Sequence, residues 1–126
     1  MLSLNASLAG QTFEDSDLAF FKPVLELIKT ADFSGTSISD RSSDLIASMT
    51  NLNLLRLSHT RVTDDGVKRL HDLAHLQSIN LLGTQVTPAV LGAIASMPKM
   101  EHLYVANTRI TPASANTPIL KQKLIF

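Results

Sequence analysis

Hydrophobic residues recur at a fixed spacing along most of the chain. Phe33, Leu57 and Leu81 are each 24 residues apart, and Val105 continues the series. Four more apolar columns keep this spacing, namely Leu25, Met49, Leu73, Met97; Ile28, Leu52, Leu76, Met100; Ala31, Leu55, Ile79, Leu103; and Ile38, Val62, Val86, Ile110. A period of this length indicates a repeat architecture, in which each unit buries its apolar side chains against its neighbours.

Within one unit the apolar positions change their period. Leu55 and Leu57 are two apart, which is the alternation of a short strand. Val67, Leu70 and Leu73 are three apart, which places them on one face of a helix. Each unit is therefore predicted to hold a strand followed by a helix, and successive strands are predicted to be parallel.

Polar residues mark where each predicted helix begins. Thr63 is a favourable N-cap residue, and Asp64 and Asp65 suit the positive end of the helix dipole. In the next unit Thr87 precedes Pro88, and proline is favoured at the first helical position because its missing N–H has no helical partner there. These start signals support the strand-then-helix interpretation.

The N-terminal part departs from the repeat. Leu2 and Leu4 alternate as Ala31 and Phe33 do, which predicts a first strand in that register. Pro23 falls inside the first predicted helix, where it is expected to cause a break or kink. The first unit is therefore predicted to be irregular.

The repeat predicts a single domain. We expect it to span residues 1–126, with an irregular N-terminal unit at 1–27, regular 24-residue repeats at 28–112 and a C-terminal cap or tail at 113–126. Repeat arrays need caps over their apolar ends. The weak pattern at the C-terminus predicts either that this segment packs over the last unit or that the end pairs with another copy in an end-to-end dimer. The domain is also expected to be a fragment of a longer protein.

The segment Leu52–Gly66 follows the pattern Leu-x-x-Leu-x-Leu-x-x-Thr-x-Val-Thr-Asp-x-Gly. It resembles the leucine-rich repeat of the ribonuclease-inhibitor and cysteine-containing classes, with threonine where those classes place asparagine or cysteine. The resemblance implies an α/β right-handed solenoid, with parallel strands on the concave face, helices on the convex face and about four to five coils of 24 residues. It is weakly specific for function, because this scaffold serves many partners.

A narrower resemblance concerns the Thr-x-Val-Thr-Asp-x-Gly form of the repeat. This form is similar to repeats of bacterial proteins of the planctomycete and Bacteroidetes type, where it often follows a c-type cytochrome domain. The segments Leu2–Asn5, Phe13–Leu18 and Thr36–Asp40 look like the opening of such a region. The resemblance implies a periplasmic or membrane-associated parent. It also gives an alternative function, that of an accessory or spacer domain in a larger protein that contains a cytochrome.

Composition removes several classes of function. The chain is 44% hydrophobic and 17% charged, with 11 basic and 11 acidic residues, and it offers no basic footprint for nucleic acid. The absence of cysteine excludes disulfides, thiolate chemistry and haem attachment through Cys-x-x-Cys-His in this chain. No apolar run approaches the roughly 18 residues that span a bilayer, so direct membrane insertion is not expected.

No catalytic, cofactor or metal site is predicted. Glycine-rich nucleotide loops, Gly-x-Ser-x-Gly and His-Glu-x-x-His are all missing. His71 and His75 have a metal-compatible spacing, but no third ligand accompanies them, and surface histidines are the favoured interpretation. We therefore expect a protein that is not an enzyme and that needs no cofactor.

The threonine column has a structural interpretation. Thr36, Thr60, Thr84 and Thr108 fall where each predicted strand turns away. We expect their hydroxyls to point inward and to bond backbone groups of the neighbouring unit. A hydroxyl nucleophile would need an adjacent base, and a regular inward column offers none. These residues are therefore predicted to build the repeat rather than to carry chemistry.

Function is predicted on the strand residues that alternate outward and on the loop positions after them. We expect a protein partner to contact this concave face through Asp32, Leu54, Arg56, His59, Asn80, Leu82, His102, Tyr104 and Arg109. Arginine and tyrosine are enriched at interfaces, and outward leucines are typical of a covered surface. The first hypothesis is a non-catalytic protein–protein interaction scaffold, whose partner the sequence does not identify. The competing interpretation is that these outward residues vary freely and bind nothing.

Overall fold

The computed structural model describes residues 1–126 and contains one sheet of six parallel strands. The strands are β1 (Leu2–Asn5), β2 (Ile28–Asp32), β3 (Leu54–Arg56), β4 (Ser78–Asn80), β5 (His102–Tyr104) and β6 (Leu124–Ile125). Each strand pairs with the next strand in the sequence, so their spatial order is the order along the chain. The fold is therefore α/β with a parallel sheet, as the alternating strand and helix patterns predict.

The pairing register follows the 24-residue repeat. Ala31 lies beside Leu55, Leu55 beside Ile79, and Ile79 beside Leu103. Members of one sequence column are therefore neighbours across the sheet, at the strand spacing of about 4.8 Å. Side chains of one column stack on each other, and the face to which each residue points is the same in every unit.

The core lies between the sheet and the helices. Every member of the five apolar columns is buried. With further apolar side chains they form one cluster of 31 buried residues, which extends from the first unit to the last. Since each unit buries its apolar side chains against the units on either side, the contacts between neighbours contribute to the stability of every unit.

The helices are shorter than the apolar pattern predicts. They are α1 (Asp15–Leu18), α2 (Ser43–Ala47), α3 (Asp64–Lys68), α4 (Leu91–Ala95) and α5 (Pro118–Lys123). Short 3-10 helices precede α2 and α4. Each unit thus uses about one turn of α-helix and completes its return path with tighter turns.

The helix predicted to reach Leu73 ends at Lys68 instead. The N–H of Leu70 donates to the carbonyl of Val67, and the N–H of Leu73 donates to the carbonyl of Leu70. These bonds span three residues, which is the period of a 3-10 turn rather than the 3.6 residues of an α-helix. The apolar side chains are buried as predicted. Their strict spacing of three indicated tight turns, and the prediction of a longer helix was wrong.

The first helical segment also differs from the prediction. α1 ends at Leu18, and the chain continues as a 3-10 helix over Ala19–Leu27 that contains Pro23. Proline has no N–H to donate and its ring clashes with the preceding turn of an α-helix. The chain therefore changes to 3-10 geometry before the proline, rather than breaking an α-helix at that residue.

β1 is shifted by two residues from the predicted alignment. Leu4, rather than Leu2, lies beside Ala31. Ala6 then takes the position that Phe33 has in the next unit, and it is buried in the core. Because side chains alternate with a period of two, a shift of two residues leaves every side chain on the same face. The alternation alone therefore does not distinguish the two alignments.

The C-terminal segment 113–126 packs over the last unit. β6 pairs with β5, and Leu120 and Leu124 are buried in the core. The Lys123 ammonium donates a hydrogen bond to the carbonyl of Ala95 at 3.2 Å. This is the first of the two arrangements predicted for this end. The sixth strand was not predicted, because residues 113–126 lack the leucine pattern.

Candidate functional site

The open face of the sheet, on the side away from the core, carries two ladders of side chains. One ladder consists of Thr30, Leu54, Ser78 and His102, and the other consists of Asp32, Arg56, Asn80 and Tyr104. None of these residues is buried. The face is therefore open along β2 to β5, and its side chains change from one strand to the next.

Two of the predicted contact residues help to end their strands. The Oδ1 atom of Asp32 accepts a hydrogen bond from the N–H of Ser34 at 2.9 Å, and Oδ1 of Asn80 accepts one from the N–H of Leu82 at 2.9 Å. A bond to the residue two positions later is an Asx turn, which these residue types favour. Both side chains are half-buried. These bonds turn the chain out of the sheet, and they leave fewer free polar atoms on each side chain for contact with a partner.

The other two members of that ladder project from the sheet. The Arg56 side chain is 51% exposed, and its Nη1 atom lies 3.7 Å from Oδ2 of Asp32 on the neighbouring strand. An exposed ion pair contributes little to stability, but it keeps the guanidinium near the sheet. Tyr104 is 37% exposed, and its ring centroid lies 6.4 Å from that of His102. The large side chains of the open face are thus grouped on β3 and β5.

The remaining predicted contact residues lie in this face and in the loops after the strands. Leu54 and Leu82 are half-buried, whereas His59 and Arg109 are exposed. Loops that follow parallel strands emerge at the same edge of a sheet, so His59 and Arg109 lie at the edge where β3 and β5 end. The structure thus brings the predicted contact residues to one face and its adjoining edge.

The threonine column closes the turn after each strand. The hydroxyl of Thr36 donates to the carbonyl of Phe33 at 2.6 Å, and Thr60, Thr84 and Thr108 make the same bond to the residue three positions earlier, at 2.7, 2.7 and 2.6 Å. The acceptor lies in the same unit, so the expected bond to the neighbouring unit was wrong. Backbone N–H groups just after each strand already donate to the next unit. The neighbour's backbone groups are therefore satisfied without the hydroxyl.

A second recurring turn position holds His59. Gly35, His59, Gly83 and Asn107 occupy this position in successive units, with φ of 71°, 55°, 69° and 55°. Residues with a side chain rarely adopt this left-handed conformation. The His59 ring lies against Gly83, where an added Cβ would clash with the ring Nδ1 atom. Gly83 therefore supplies both the turn conformation and the space in which the His59 ring lies.

Gly83→Ala is expected to lower the free energy of unfolding more than Gly35→Ala. Both glycines have φ close to 70°, so alanine at either position costs about 1 kcal/mol of backbone strain. Only at Gly83 does the new methyl group meet the His59 ring, since nothing lies within 4 Å of a Cβ at Gly35. Urea unfolding of both variants measures the difference. Equal losses would contradict the contact between His59 and Gly83.

Aspartates connect successive units at the start of their helices. Asp64 accepts hydrogen bonds from the N–H of Thr87 at 2.7 Å and from its hydroxyl at 2.6 Å. Asp40 accepts the same two bonds from Thr63 in the unit after it. The helix dipole accounts for an acid at this position, but it does not predict the bonds between units. The recurrence of a threonine–aspartate pair at the repeat spacing is the sequence signal for them.

This series of bonds ends where proline replaces the aspartate. Pro88 occupies the position that Asp64 has one unit earlier. It offers no carboxylate to the last unit, and the N–H of Thr111 instead donates to Oγ of Ser114 in its own turn at 3.2 Å. The helix start of the last unit is therefore held within that unit rather than by its neighbour.

Asp15 begins the series and has a lowered pKa. Burial raises its pKa, but this is outweighed by hydrogen bonds from the hydroxyl and N–H of Ser39 and the hydroxyl of Ser42, and by the charge of Arg41. The pKa of Asp15 therefore lies below its ordinary value of 3.8. Because the pKa of Asp15 is lower in the folded chain than in the unfolded chain, its ionised form stabilises the fold at pH values above the unfolded-state pKa. This stabilisation is lost as the pH falls through the folded-state pKa.

Asp15→Asn is expected to weaken the dependence of stability on pH at the acid end. The wild-type chain should lose stability as the pH falls below about 4, because the proton binds more tightly to Asp15 in the unfolded chain. The variant lacks this titration, so its free energy of unfolding should fall less steeply there. Urea unfolding between about pH 6 and pH 3 makes the comparison. If the free energy of unfolding falls equally steeply with decreasing pH in both proteins, Asp15 does not contribute to the loss of stability in acid.

Two cavities open on the surface. The larger, of about 540 Å³, lies between α4 and α5 beside Leu91 and Ile119 and is lined by no titratable side chain. The smaller, of about 360 Å³, is lined by polar residues that include Glu14, Arg41 and Arg61. Neither cavity places a histidine or lysine base beside a hydroxyl, which is the usual arrangement that activates such a nucleophile. The open face is therefore the stronger candidate for a functional site.

Comparisons with known proteins identify no relative of this chain. No family model matches the chain, and no curated protein matches it. None of the helices has the length and apolar character needed to cross a membrane. No three histidine, cysteine, aspartate or glutamate side chains are grouped so that they would hold a metal ion. The case for a function therefore depends on the open face and its edge.

Proposed function

We propose that the chain is a leucine-rich-repeat solenoid that acts as a non-catalytic scaffold for protein–protein interaction. Three features support the solenoid: the repeat pattern at Leu52–Gly66, the parallel strands in chain order, and the 24-residue register between them. In a solenoid of this kind the open face of the sheet is the concave face. An extended concave surface is the part of such proteins that suits a large partner.

The exposure of Arg56 and Tyr104 on the open face is the observation that carries the proposal. Asp32 and Asn80 occupy the same ladder, but their side chains are engaged in turns. Arg56 and Tyr104 do not belong to the buried core. Arginine and tyrosine are the residue types that most often dominate binding energy at interfaces. Such side chains on an open sheet are well suited to contact a partner protein.

Partner capture tests the proposal. Immobilised wild-type, Arg56→Ala and Tyr104→Ala chains are incubated with a lysate of the source organism, and the retained proteins are quantified. We expect at least one protein to be retained by the wild type, and we expect its affinity to fall at least about fivefold with Tyr104→Ala, because truncation of an interface anchor costs at least about 1 kcal/mol. His75→Ala, which changes an exposed side chain outside the open face, is the matched control and should retain that protein.

Two results would contradict the scaffold proposal. One is a capture experiment in which no protein is retained above the empty support. The other is a retained protein whose amount is the same for Arg56→Ala, Tyr104→Ala and the wild type. Either result is the one expected of a domain that only spaces its neighbours in a larger protein.

A further inference from the structure

The two ends of the repeat array differ in how they are covered. At the C-terminal end, residues 113–126 pack over the last unit, whereas at the other end β1 pairs with β2 alone and has a free edge. Large exposed apolar residues are concentrated near this free edge. Five of the eight in the chain lie in the first unit, namely Met1, Leu2, Leu8, Phe20 and Leu27. An uncapped end of a repeat array exposes apolar surface in this way.

Leu27 occupies a repeat position that faces the preceding unit. Its counterpart 24 residues later is Asn51, whose side-chain amide donates a hydrogen bond at 2.7 Å to the carbonyl of Glu26 in the unit before it. Within residues 1–126 no unit lies beyond the first one, and Leu27 is exposed at this position. An apolar residue therefore occupies a position whose counterpart contacts a neighbouring unit.

Phe20 occupies a second position of this kind. The N-cap residues of the first two units are Glu14 and Ser39, 25 residues apart, so Phe20 corresponds to Leu45. The residue 24 positions after Leu45 is Arg69, whose Nη1 atom donates to a backbone carbonyl of the preceding unit at 3.5 Å. Leu45 packs against the core, whereas Phe20 is mostly exposed. The first unit thus presents two large apolar side chains on the side where later units contact a neighbour.

The apolar surface of the first unit is large enough for an interface. Leu2, Leu8, Phe20 and Leu27 are 44, 98, 82 and 50% exposed. Together they expose on the order of 500 Å² per copy, at roughly 200 Å² for one large side chain. A specific interface buries about 800 Å² on each partner. The backbone and the polar side chains of β1 can supply the remainder.

The free edge of β1 also presents backbone hydrogen-bonding groups. The N–H of Ala6 donates to the carbonyl of Asp32 and so points towards β2. Successive residues of a strand direct their backbone groups to opposite sides, so those of Ser3 and Asn5 point away from β2. Such an edge is a template for pairing with a strand of another chain.

We propose that two copies of the chain associate through β1, in antiparallel pairing, to form a symmetric dimer. With the pairing centred on Leu4, Ser3 of each copy lies opposite Asn5 of the other, and their outward backbone groups bond each other. Leu4 lies opposite Leu4 of the second copy, and Leu2 lies opposite Ala6. Apolar residues therefore meet apolar residues on the core side of the sheet. A slip of one residue would place each leucine opposite a polar residue.

The observations favour this symmetric pairing over a head-to-tail contact. β6 contains only two residues, so it offers a short edge to β1 of another copy. A head-to-tail contact of this kind continues into an open filament, whereas the symmetric pairing closes after two copies. It also brings together the two surfaces that contain Phe20 and Leu27. Both open faces lie on the same side of the joined sheet, and the dimer does not depend on what those faces bind.

Light scattering of the full chain during size-exclusion chromatography tests the proposal. We expect the wild type to have twice the single-chain mass of 13.7 kDa. Ser3→Pro should have the single-chain mass, because proline removes an N–H that points away from β2. Ser3→Ala is the matched control. It loses the same hydrogen bond from the Thr30 hydroxyl but keeps the N–H, so it should remain a dimer.

Two further variants identify the end that associates. Phe20→Asp should raise the dissociation constant of the dimer at least about tenfold, because a symmetric interface contains the substitution twice. Ile119→Ser removes an exposed apolar side chain at the C-terminal end and should have no effect. Far-UV circular dichroism checks that each variant is folded. If Ser3→Pro does not fold, the comparison of Phe20→Asp with Ile119→Ser decides the question.

Three outcomes would overturn the proposal. One is a single-chain mass for the wild type at concentrations up to about 100 µM. Another is an equal dissociation constant for folded Ser3→Pro and Ser3→Ala, or for Phe20→Asp and the wild type. The third is a mass that grows beyond two copies with concentration and falls with Ile119→Ser, which is the result expected of head-to-tail association.

Discussion

Leu81→Ala is expected to lower the free energy of unfolding by about 3 kcal/mol, within the range found for buried leucines. Leu81 is fully buried and belongs to the apolar column that runs through the middle of the core. Its truncation removes apolar burial and leaves a cavity between units that cannot easily close. Each unit is held by its neighbours, so a cavity in a central unit weakens both adjoining contacts.

Leu82→Ala is the matched control for this experiment. Leu82 is the next residue and has the same side chain, but it is half-buried after the end of β4. We expect its truncation to cost much less stability. Urea unfolding at a fixed temperature, followed by circular dichroism, compares the two variants. Equal losses at the two positions would contradict the placement of the 24-residue columns in the core.

Asp64→Ala is expected to lower the free energy of unfolding by about 3 kcal/mol. The variant removes two charge-assisted hydrogen bonds, and each bond of this type makes a net contribution of about 1.5–3 kcal/mol, with the lower end applying to half-buried groups such as these. It also leaves the N–H of Thr87 without its carboxylate acceptor at the junction between two units. The loss is therefore expected to be greater than that of a carboxylate that only faces a helix dipole.

Asp65→Ala separates the two explanations for these acidic residues. Asp64 and Asp65 are both in the first turn of α3, so a helix-dipole effect applies to each. Asp65 is exposed, and no hydrogen bond from the next unit reaches it. Its replacement should therefore have a small effect in the same unfolding measurement. If the two variants lose equal stability, the dipole alone accounts for the acids, and the bonds between units are unimportant.

The sequence was most informative where the side-chain period and the repeat coincide. The column that contains Leu55 and Ile79 predicted the strand register, because neighbouring parallel strands with equal lengths of connecting chain align equivalent residues. Burial of the columns followed from the same regularity. The outward ladder of Arg56 and Tyr104 followed from alternation along the strands, so the face that carries the candidate site was also predictable.

The sequence was less informative where two structures share one pattern. A spacing of three residues fits an α-helix loosely and a 3-10 turn closely. The predicted helix was therefore longer than α3, which ends at Lys68. A shift of two residues preserves a strand's faces, so the register of β1 was predicted wrongly. The bonds from Asp40 and Asp64 to the next unit involve residues far apart in the chain. The preference for acidic residues at helix starts already explained those aspartates, so the sequence offered no further reason to predict their hydrogen bonds to the next unit.

The candidate site shows the same division. Outward direction predicted that Asp32 and Asn80 face a partner, yet both side chains bond the backbone two residues later. That competition between local hydrogen bonds and binding is typical of these residue types. Arg56 and Tyr104 have no such local use, and they remain the stronger candidates. Residues that build the repeat and residues free to bind are therefore distinguished by their hydrogen bonds as much as by their direction.

Site-specific photo-crosslinking tests the central claim most directly, namely that the open face binds a partner protein. A photoreactive phenylalanine analogue replaces Tyr104 on β5 in one chain and His75, an exposed residue outside that face, in another. Both chains are irradiated in lysate of the source organism. We predict a discrete crosslinked protein from position 104 and none from position 75. Crosslinks of equal yield from both positions, or from position 75 alone, would contradict the claim.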